Sequence, residues 1–193
     1  NLKHNQKLWV DVEAFHRSFS QFKEHSHPGK EVCGDCLSTL DGMTALYRGD
    51  FLEGVNLDDS PDFDEWQFFQ RDGLRQELAE ALQHLSSSYS QRGQWEQAIL
   101  HARHWVALDH LHEPACRALM DLYARSGRRN AALRQYEELR RALKEQMGQD
   151  TEEETCKLYE QIRGQGKQAI ESPERQTSLP LLKTKLYIPT VPA

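Results

Sequence analysis

The sequence lacks the features that place a protein in a membrane or outside the cell. It has no continuous apolar run of about 18 residues, so we predict no transmembrane helix. Its first six residues, NLKHNQ, contain no apolar core of a signal peptide. Four cysteines among 193 residues are too few for the dense disulfide framework of a small secreted domain. We therefore expect a cytoplasmic protein without membrane contacts. Because no initiator methionine is present, we also expect a piece of a longer product.

The chain also lacks an excess of positive charge. Its 24 lysines and arginines are outnumbered by 30 acidic residues, for a formal net charge of -6. Because nucleic-acid binding needs a positive field, we do not expect this chain alone to bind DNA. One basic region has two interpretations: it docks on an acidic partner or on DNA backbone, or it is a solvated helix surface. The second is favoured, because glutamates are interleaved with the basic residues and can pair with them. The region comprises Arg125, Arg128, Arg129, Arg134, Arg140, Arg141 and Lys144.

Motifs for bond chemistry are missing as well. The sequence contains no Gly-x-Ser-x-Gly, no glycine-rich phosphate loop and no His-Glu-x-x-His. Acidic clusters such as Asp58-Asp59 and the glutamates at 152–154 fit a solvated loop and a helix N-terminus. We therefore predict a protein that is not an enzyme and has no catalytic residues.

The most informative feature that is present is a repeat of 34 residues. Four positions recur at this separation, and the period is typical of the tetratricopeptide repeat, a helix-turn-helix unit. The matched pairs are Leu85 with Leu119, Tyr89 with Tyr123, Gly93 with Gly127, and Ala98 with Ala132. Each such unit has an apolar face that a stacked neighbour must cover. The repeat predicts a helical scaffold that binds a partner.

Apolar residues at helical spacing extend this prediction to most of the chain. Asp11 is the predicted N-cap of a first helix whose apolar stripe includes Phe15, and a second helix spans about 31–47. A long helix follows Ser60 and Pro61 to about residue 91, with Trp66, Phe69 and leucines 74, 78, 82 and 85 on its inner face. We predict further helices at 94–109, 113–126, 129–147 and 151–163, and core positions for the tryptophans at 66, 95 and 105. The expected fold is all-α, a tetratricopeptide-like helical repeat bundle with an N-terminal helical pair.

Four potential metal ligands lie within twelve residues, in the pattern His25-x-His27-x5-Cys33-x2-Cys36. Two cysteines separated by two residues bring both sulfurs to one ion, and the histidines complete a Cys2His2 set for zinc. Two other interpretations remain open: small cysteines that pack in the core, which is the more ordinary one, or a redox couple. We expect no other cofactor. Cys116 and Cys156 are interpreted as core residues.

The repeat register also predicts a partner-binding surface, because the first helix of each repeat lines the concave side. The candidate residues are Gln83, Ser87, Ser90 and Gln91 in the first unit, and Arg117, Asp121 and Arg125 in the second. The lysines and asparagines of a carboxylate clamp are absent from these positions, which argues against a chaperone-tail site. A groove for another helix or extended segment is the remaining prediction.

Several short motifs, taken in order over roughly residues 8–163, resemble a known family. They are similar to the bacterial transcriptional activation domain of the Streptomyces antibiotic regulatory protein type. The Gly49-Asp50-Phe51-Leu52 element is the most specific, because a generic repeat does not need it. The matching elements are Val10-Asp11-Val12 with Phe15, Tyr47 to Leu52, Phe63 with Trp66, Gly93 with Ala98, Leu119-Met120, Gly127, Ala132-Leu133 with Tyr136, and Leu143 with Met147-Gly148.

The resemblance implies an all-helical domain that directly follows an OmpR-type winged-helix DNA-binding domain. Residues 1–9 would be the end of that domain or a leading segment, 10–163 the activation domain, and 164–178 a polar linker. Residues 179–193 resemble the start of a maltose-activator-like signalling ATPase module. The implied partners are the chain's own winged helix, the downstream ATPase, RNA polymerase or a second copy. One departure is the lack of the family's proline after Gly148.

In this interpretation the Gly-Asp-Phe-Leu element sets local geometry. Gly49 would permit a tight turn, and Phe51 and Leu52 would anchor it in the core. A generic tetratricopeptide-like adaptor, or a zinc- or redox-responsive sensor module, is the alternative to the transcriptional function.

Overall fold

The computed structural model describes residues 10–27, 32–57 and 59–168, and within these ranges the chain forms seven helices and no strand. This confirms the predicted all-α class, and none of these helices is long and apolar enough to cross a membrane. The helices are α1 (Asp11–Glu24), α2 (Gly34–Leu46), α3 (Pro61–Gln91), α4 (Trp95–Leu108), α5 (Glu113–Arg125), α6 (Arg129–Met147) and α7 (Glu153–Gln168).

The two repeat units are α3 with α4 and α5 with α6, and they turn in the same way. Gly93 and Gly127 have φ angles of 71° and 78°, which only glycine adopts without strain. After each glycine the next backbone N–H returns to the carbonyl of the repeated tyrosine, at 2.9 Å for Tyr89 and 2.7 Å for Tyr123. The following alanines, at 98 and 132, are fully buried and allow the paired helices to pack closely. The predicted repeat is therefore confirmed in its turns and its packing.

The N-terminal helical pair, α1 and α2, packs on α3 and shares its core. Three phenylalanines of α1 are buried, as their spacing predicts, and α2 contributes Leu40 and Met43, both fully buried. On the α3 side the same cluster contains the fully buried leucines 78, 82 and 85. The pair thus covers an apolar face of the first repeat that would otherwise lie exposed.

The corner between α2 and α3, residues 47–54, is held by Asp50. Its carboxylate accepts the Tyr47 hydroxyl at 2.8 Å and two bonds from the Arg75 guanidinium, both at 2.9 Å. Burial disfavours the charged carboxylate, but the bonds from Tyr47 and Arg75 outweigh it and hold the pKa of Asp50 below its usual value. Gln67 of α3 donates to the Leu52 carbonyl at 2.7 Å. The corner is therefore fixed to α3 by polar side chains.

The corner differs from the expectation in how deeply its apolar residues are buried. Gly49 does not have a positive φ; the left-handed residues here are Leu52, with φ of 50°, and Gly54, with φ of 79°. Phe51 packs against the core, and both Phe51 and Leu52 are only half-buried. The bonds between Asp50 and Arg75 add a polar contact that the sequence pattern does not predict.

The inner face predicted for α3 is correct in its second half and wrong in its first. Leu74 and the following leucines are buried, whereas Trp66 and Phe69 are 46% and 59% exposed. The ring of Trp66 packs on Phe51 at 5.5 Å, but the short corner leaves the rest of this face uncovered. Of the other predicted core tryptophans, Trp105 is buried and Trp95 is only half-buried.

The ends of α1 and α7 also differ from the prediction. Val10 is the N-cap of α1, and Asp11 is its first residue, with a carboxylate that accepts the Val12 N–H at 2.8 Å. Helix α7 continues to Gln168, five residues beyond its predicted end and into the predicted linker. The predictions for 1–9, for the rest of the linker and for 179–193 lie outside the described residues.

Helix α7 caps the second repeat through a buried polar network. The Glu113 carboxylate of α5 accepts the Glu152 N–H at 2.9 Å and the Thr155 hydroxyl at 2.6 Å. Arg117 donates to the same hydroxyl at 3.0 Å and pairs with the Glu152 carboxylate at 2.6 Å. Because Thr155 is fully buried, its paired hydroxyl fixes α7 on α5 in one position.

Candidate functional site

A groove runs along the two repeats and is lined by the first helix of each. One cavity of about 320 Å³ lies between α3 and α5, and a second of about 600 Å³ extends along α3 towards α4. The two cavities share Gln83, Ser87 and Trp105, so they form one continuous surface, hereafter the groove. All seven predicted partner-binding residues line it: Gln83, Ser87, Ser90, Gln91, Arg117, Asp121 and Arg125.

The charges of the groove are largely paired within the domain. Arg125 lies 3.4 Å from the Asp121 carboxylate, and its guanidinium lies over the Trp95 ring at 5.0 Å. Arg117 pairs with Glu152, just before α7, and with Glu154 in the first turn of α7. What remains for a ligand is mainly amide and hydroxyl groups, which both donate and accept hydrogen bonds.

Ser90 is the one groove residue with an unusual environment. Its side chain is more than nine-tenths buried at the end of α3, and its hydroxyl oxygen has no hydrogen-bond partner in the described part of the chain. By contrast, the neighbouring Ser86 hydroxyl donates to the Gln83 carbonyl at 3.0 Å. A buried hydroxyl without a partner is costly, and Ser90 is therefore the least satisfied polar side chain of the groove among the described residues.

Sequence reasoning missed three aromatic residues of the groove. Trp105 forms part of its floor, and its ring packs on His112 at 5.4 Å, while His84 lies at the other end beside Glu80. Burial dominates at His84 and lowers its pKa. His112 also caps α5, because its ring nitrogen accepts the Ala115 N–H at 3.3 Å. Trp105 lies on α4, the second helix of its unit, so the register did not place it in the groove, and its apolar character indicated only the core.

A second site brings together the four residues of the predicted metal motif, hereafter the His–Cys cluster. His25 is the C-cap of α1, and Cys33 is the N-cap of α2. One ligand atom from each of His25, His27, Cys33 and Cys36 lies within 4.8 Å of the others. The His25 Nδ1 atom is 2.9 Å from the Cys36 sulfur and 3.4 Å from the Cys33 sulfur. The C-terminal end of α1 and the N-terminal end of α2 thus bring the four side chains together.

The two thiols of this cluster have different surroundings. Cys36 is buried, and burial, followed by its contact with Cys33, raises the pKa of its thiol to about 11. Cys33 is half-buried, and its sulfur accepts the Cys36 N–H at 3.4 Å. The remaining cysteines lie elsewhere: Cys116 is fully buried in the core, and Cys156 is half-buried beside Thr151.

Part of the predicted basic region is engaged by partners within the domain. Arg128 pairs with Glu96, and Arg140 lies 3.9 Å from the Asp150 carboxylate. Arg129 donates to the carbonyls of Ile162 and Arg163 at 3.0 and 2.8 Å, which ties α6 to α7. These contacts tie part of the region to neighbouring helices, and they do not include the predicted pairs with interleaved glutamates.

Comparison with known proteins agrees with this architecture. The chain is similar in fold to the C-terminal tetratricopeptide-repeat domain of a putative FK506-binding protein from Plasmodium falciparum. The TM-score is 0.56 at 13% sequence identity, with 84% of this chain and 96% of that chain covered, so the likeness concerns the fold alone. No curated protein sequence gives a significant match. The model of the bacterial transcriptional activator domain matches residues 10–163. The chain belongs to the bacterial transcriptional activator domain family.

Proposed function

We propose that this domain is the protein-interaction module of a bacterial transcription regulator and performs no bond chemistry. It couples a DNA-binding winged helix to partner domains or to RNA polymerase, in the cytoplasm. The family membership supports the regulatory role, since it covers both repeats, the capping helix and the N-terminal helical pair. The observation that carries the binding role is the groove, which is lined by all seven residues that the repeat register predicts.

The chemistry of the groove favours a polypeptide segment as the ligand. Gln83, Ser87 and Ser90 follow one another at helical spacing along α3 and line the same cavity. Their amides and hydroxyls complement a backbone, which presents N–H donors and C=O acceptors in equal number. The arginines that would hold a phosphate or a carboxylate are engaged by Asp121 and by α7. A segment of low charge is therefore the best match.

The experiment compares variants of the full-length regulator on its own promoter. Ser87→Arg places a long charged side chain in the groove at an exposed position, so the core is not disturbed. We expect normal promoter binding but a loss of transcription activation by about tenfold or more, which corresponds to roughly 1.4 kcal/mol of partner binding. Asn130→Arg is the matched control, because it adds the same charge at an exposed position of α6 outside the groove.

Two results would overturn the proposal in different parts. Full activation by Ser87→Arg, with DNA binding unchanged, would show that the groove is not the partner site. A full-length protein that binds no promoter DNA would remove the transcriptional half and leave a protein-binding scaffold. Circular dichroism of both variants checks that neither outcome comes from misfolding.

A further inference from the structure

We propose that His25, His27, Cys33 and Cys36 bind one Zn²⁺ ion that joins the end of α1 to the start of α2. This site is separate from the groove, and the inference does not rest on the proposed function. The structure supports it through the distances within the cluster, the position of its residues in the fold, and an unpaired buried nitrogen.

The distances in the cluster are close to those that tetrahedral zinc requires. Zinc bonds of about 2.0–2.3 Å to nitrogen and sulfur place the ligand atoms roughly 3.3–3.8 Å from one another. The His25 Nδ1 atom lies 2.9 and 3.4 Å from the two sulfurs, and all four ligand atoms lie within 4.8 Å of one another. Shifts of about an ångström or less would therefore complete the tetrahedron.

The fold holds these four residues in place without help from an ion. The Phe22 ring is buried and packs against the His27 ring at 5.6 Å, which orients this histidine. Cys33 and Cys36 lie three residues apart in the first turn of α2, so their side chains share one face of the helix. Core packing of α1 and α2 on α3 then fixes the two helix ends next to each other. A preorganised site binds a metal at lower entropic cost.

Hydrogen bonds within the described residues leave one buried nitrogen atom of the cluster without a partner. The Nε2 atom of His27 is buried and has no hydrogen-bond partner among the described residues. Buried imidazole nitrogens are normally paired, because their desolvation is otherwise uncompensated. This nitrogen is the ordinary kind of ligand that zinc takes from histidine.

The donor set selects zinc over other common divalent cations. Two sulfurs and two imidazoles suit Zn²⁺, whereas Ca²⁺ and Mg²⁺ prefer oxygen ligands. Two thiolates neutralise the ion, which suits a site that is partly shielded from water. Glu24 and Asp35 line the adjoining cavity and add a negative potential that attracts a cation.

The position of the site suggests what the ion does for the domain. Val32, beside Cys33, accepts a hydrogen bond at 2.8 Å from Arg92, the residue that caps the C-terminus of α3. On the other side Phe22 packs at 4.9 Å on His84, which lines the groove. Zinc would thus fasten the N-terminal helical pair to both the turn of the first repeat and the rim of the groove.

The test measures metal in the purified full chain and in two cysteine variants. Cys33→Ser removes one ligand while serine remains a good N-cap residue, so α2 should still form. Cys156→Ser is the matched control, because this half-buried cysteine lies outside the cluster. We expect about one zinc per chain in the wild type and in Cys156→Ser, as a single Cys2His2 site requires. Loss of a group that only orients a metal ligand costs roughly 10–100-fold in metal affinity. Cys33→Ser removes a ligand itself, so its affinity for zinc should fall by more than that.

Cobalt substitution identifies the ligands, since Co²⁺ in a tetrahedral thiolate site gives charge-transfer absorption. We expect this absorption in the wild type and in Cys156→Ser, reduced in Cys33→Ser, and retained but shifted in His25→Gln. A folded wild-type chain that takes up neither zinc nor cobalt under reducing conditions would overturn the proposal. So would a Cys33→Ser variant that binds zinc as tightly as the wild type. A third result would assign Cys33 and Cys36 to a disulfide: no metal bound under reducing conditions, and a mass lower by 2 Da after purification in air.

Discussion

The two repeat units and the N-terminal helical pair are stabilised in different ways. In the repeats the same positions recur: glycines with positive φ at 93 and 127, and fully buried alanines at 98 and 132. In the helical pair no position repeats, and polar side chains add to the shared apolar core in attaching it to α3 and α4. Tyr89, for example, donates to Asp41, whose carboxylate also lies 3.1 Å from the His101 ring.

This difference shows how the same core can be specified by local or by distant residues. The repeat turns depend on residues a few positions apart, so the turn of each unit can be predicted from its own 34 residues. The helical pair and the corner after it depend on partners far along the chain: Asp41 with Tyr89, Asp50 with Arg75, and His16 with Glu77 at 2.9 Å. The repeats therefore supply a regular scaffold, and the helical pair closes one end of it through individual contacts.

The largest effect is expected from leucine truncations that compare the two regions directly. Leu40 of α2 is fully buried and Leu119 of α5 is 2% exposed, so each replacement by alanine leaves a cavity of similar size. We expect each to lower the free energy of unfolding by about 3 kcal/mol. Urea unfolding followed by circular dichroism measures both, and Leu100→Ala, at a 64% exposed position, should change stability by about 0.5 kcal/mol or less.

The shape of these transitions tests whether the two regions fold as one unit. Because both regions share the core of α3, each variant should shift a single transition by the same amount. Two separate transitions, with Leu40→Ala affecting one and Leu119→Ala the other, would show that the helical pair folds independently of the repeats.

The same contrast explains what could be predicted from the sequence. The repeat register predicted the glycine turns, the buried alanines and the residues that line the groove, because all of these follow from a fixed period. The His–Cys motif is visible for a different reason, because its four residues lie within twelve positions of the sequence. Contacts such as Glu113 with Thr155, 42 residues apart, have no local pattern. Nor does periodicity reveal where a helix lacks a neighbour, which is why Trp66 and Phe69 were placed in the core.

A smaller effect, opposite in sign between the two regions, is expected from glycine substitutions. Gly127→Ala forces an alanine into the left-handed region at φ of 78° and should destabilise the domain by about 1–2 kcal/mol. Gly42, in α2, has helical neighbours on both sides, and an added methyl group would meet no atom within 4 Å. Gly42→Ala should stabilise by about 0.5–1 kcal/mol, because alanine favours a helix interior.

Thermal unfolding of the two glycine variants separates local conformation from packing. If Gly127→Ala left the midpoint unchanged, the repeat turn would not depend on its left-handed residue. If Gly42→Ala lowered the midpoint, a contact at this exposed position of α2 would have to account for the loss.

The smallest effect is expected at Asp50, which belongs to the helical pair's aperiodic contacts. Asp50→Asn keeps the shape of the side chain but removes its charge opposite Arg75, whose side chain is 44% exposed. Since solvent screens such a pair, we expect a loss of about 0.5–1 kcal/mol at neutral pH. Arg75→Gln should cost a similar amount, and the double variant should cost less than the sum of the two.

The pH dependence distinguishes this ion pair from simple packing. The pKa of Asp50 is lower in the folded chain than in the unfolded one, so its contribution is complete above the unfolded value of about 4. It is lost as the pH falls through the lower folded value, where the carboxylate takes up a proton and no longer pairs with Arg75. The stability difference between wild type and Asp50→Asn should therefore shrink below about pH 4. A difference that stayed constant to about pH 2 would mean that the corner is held by shape and not by charge, as in the repeats.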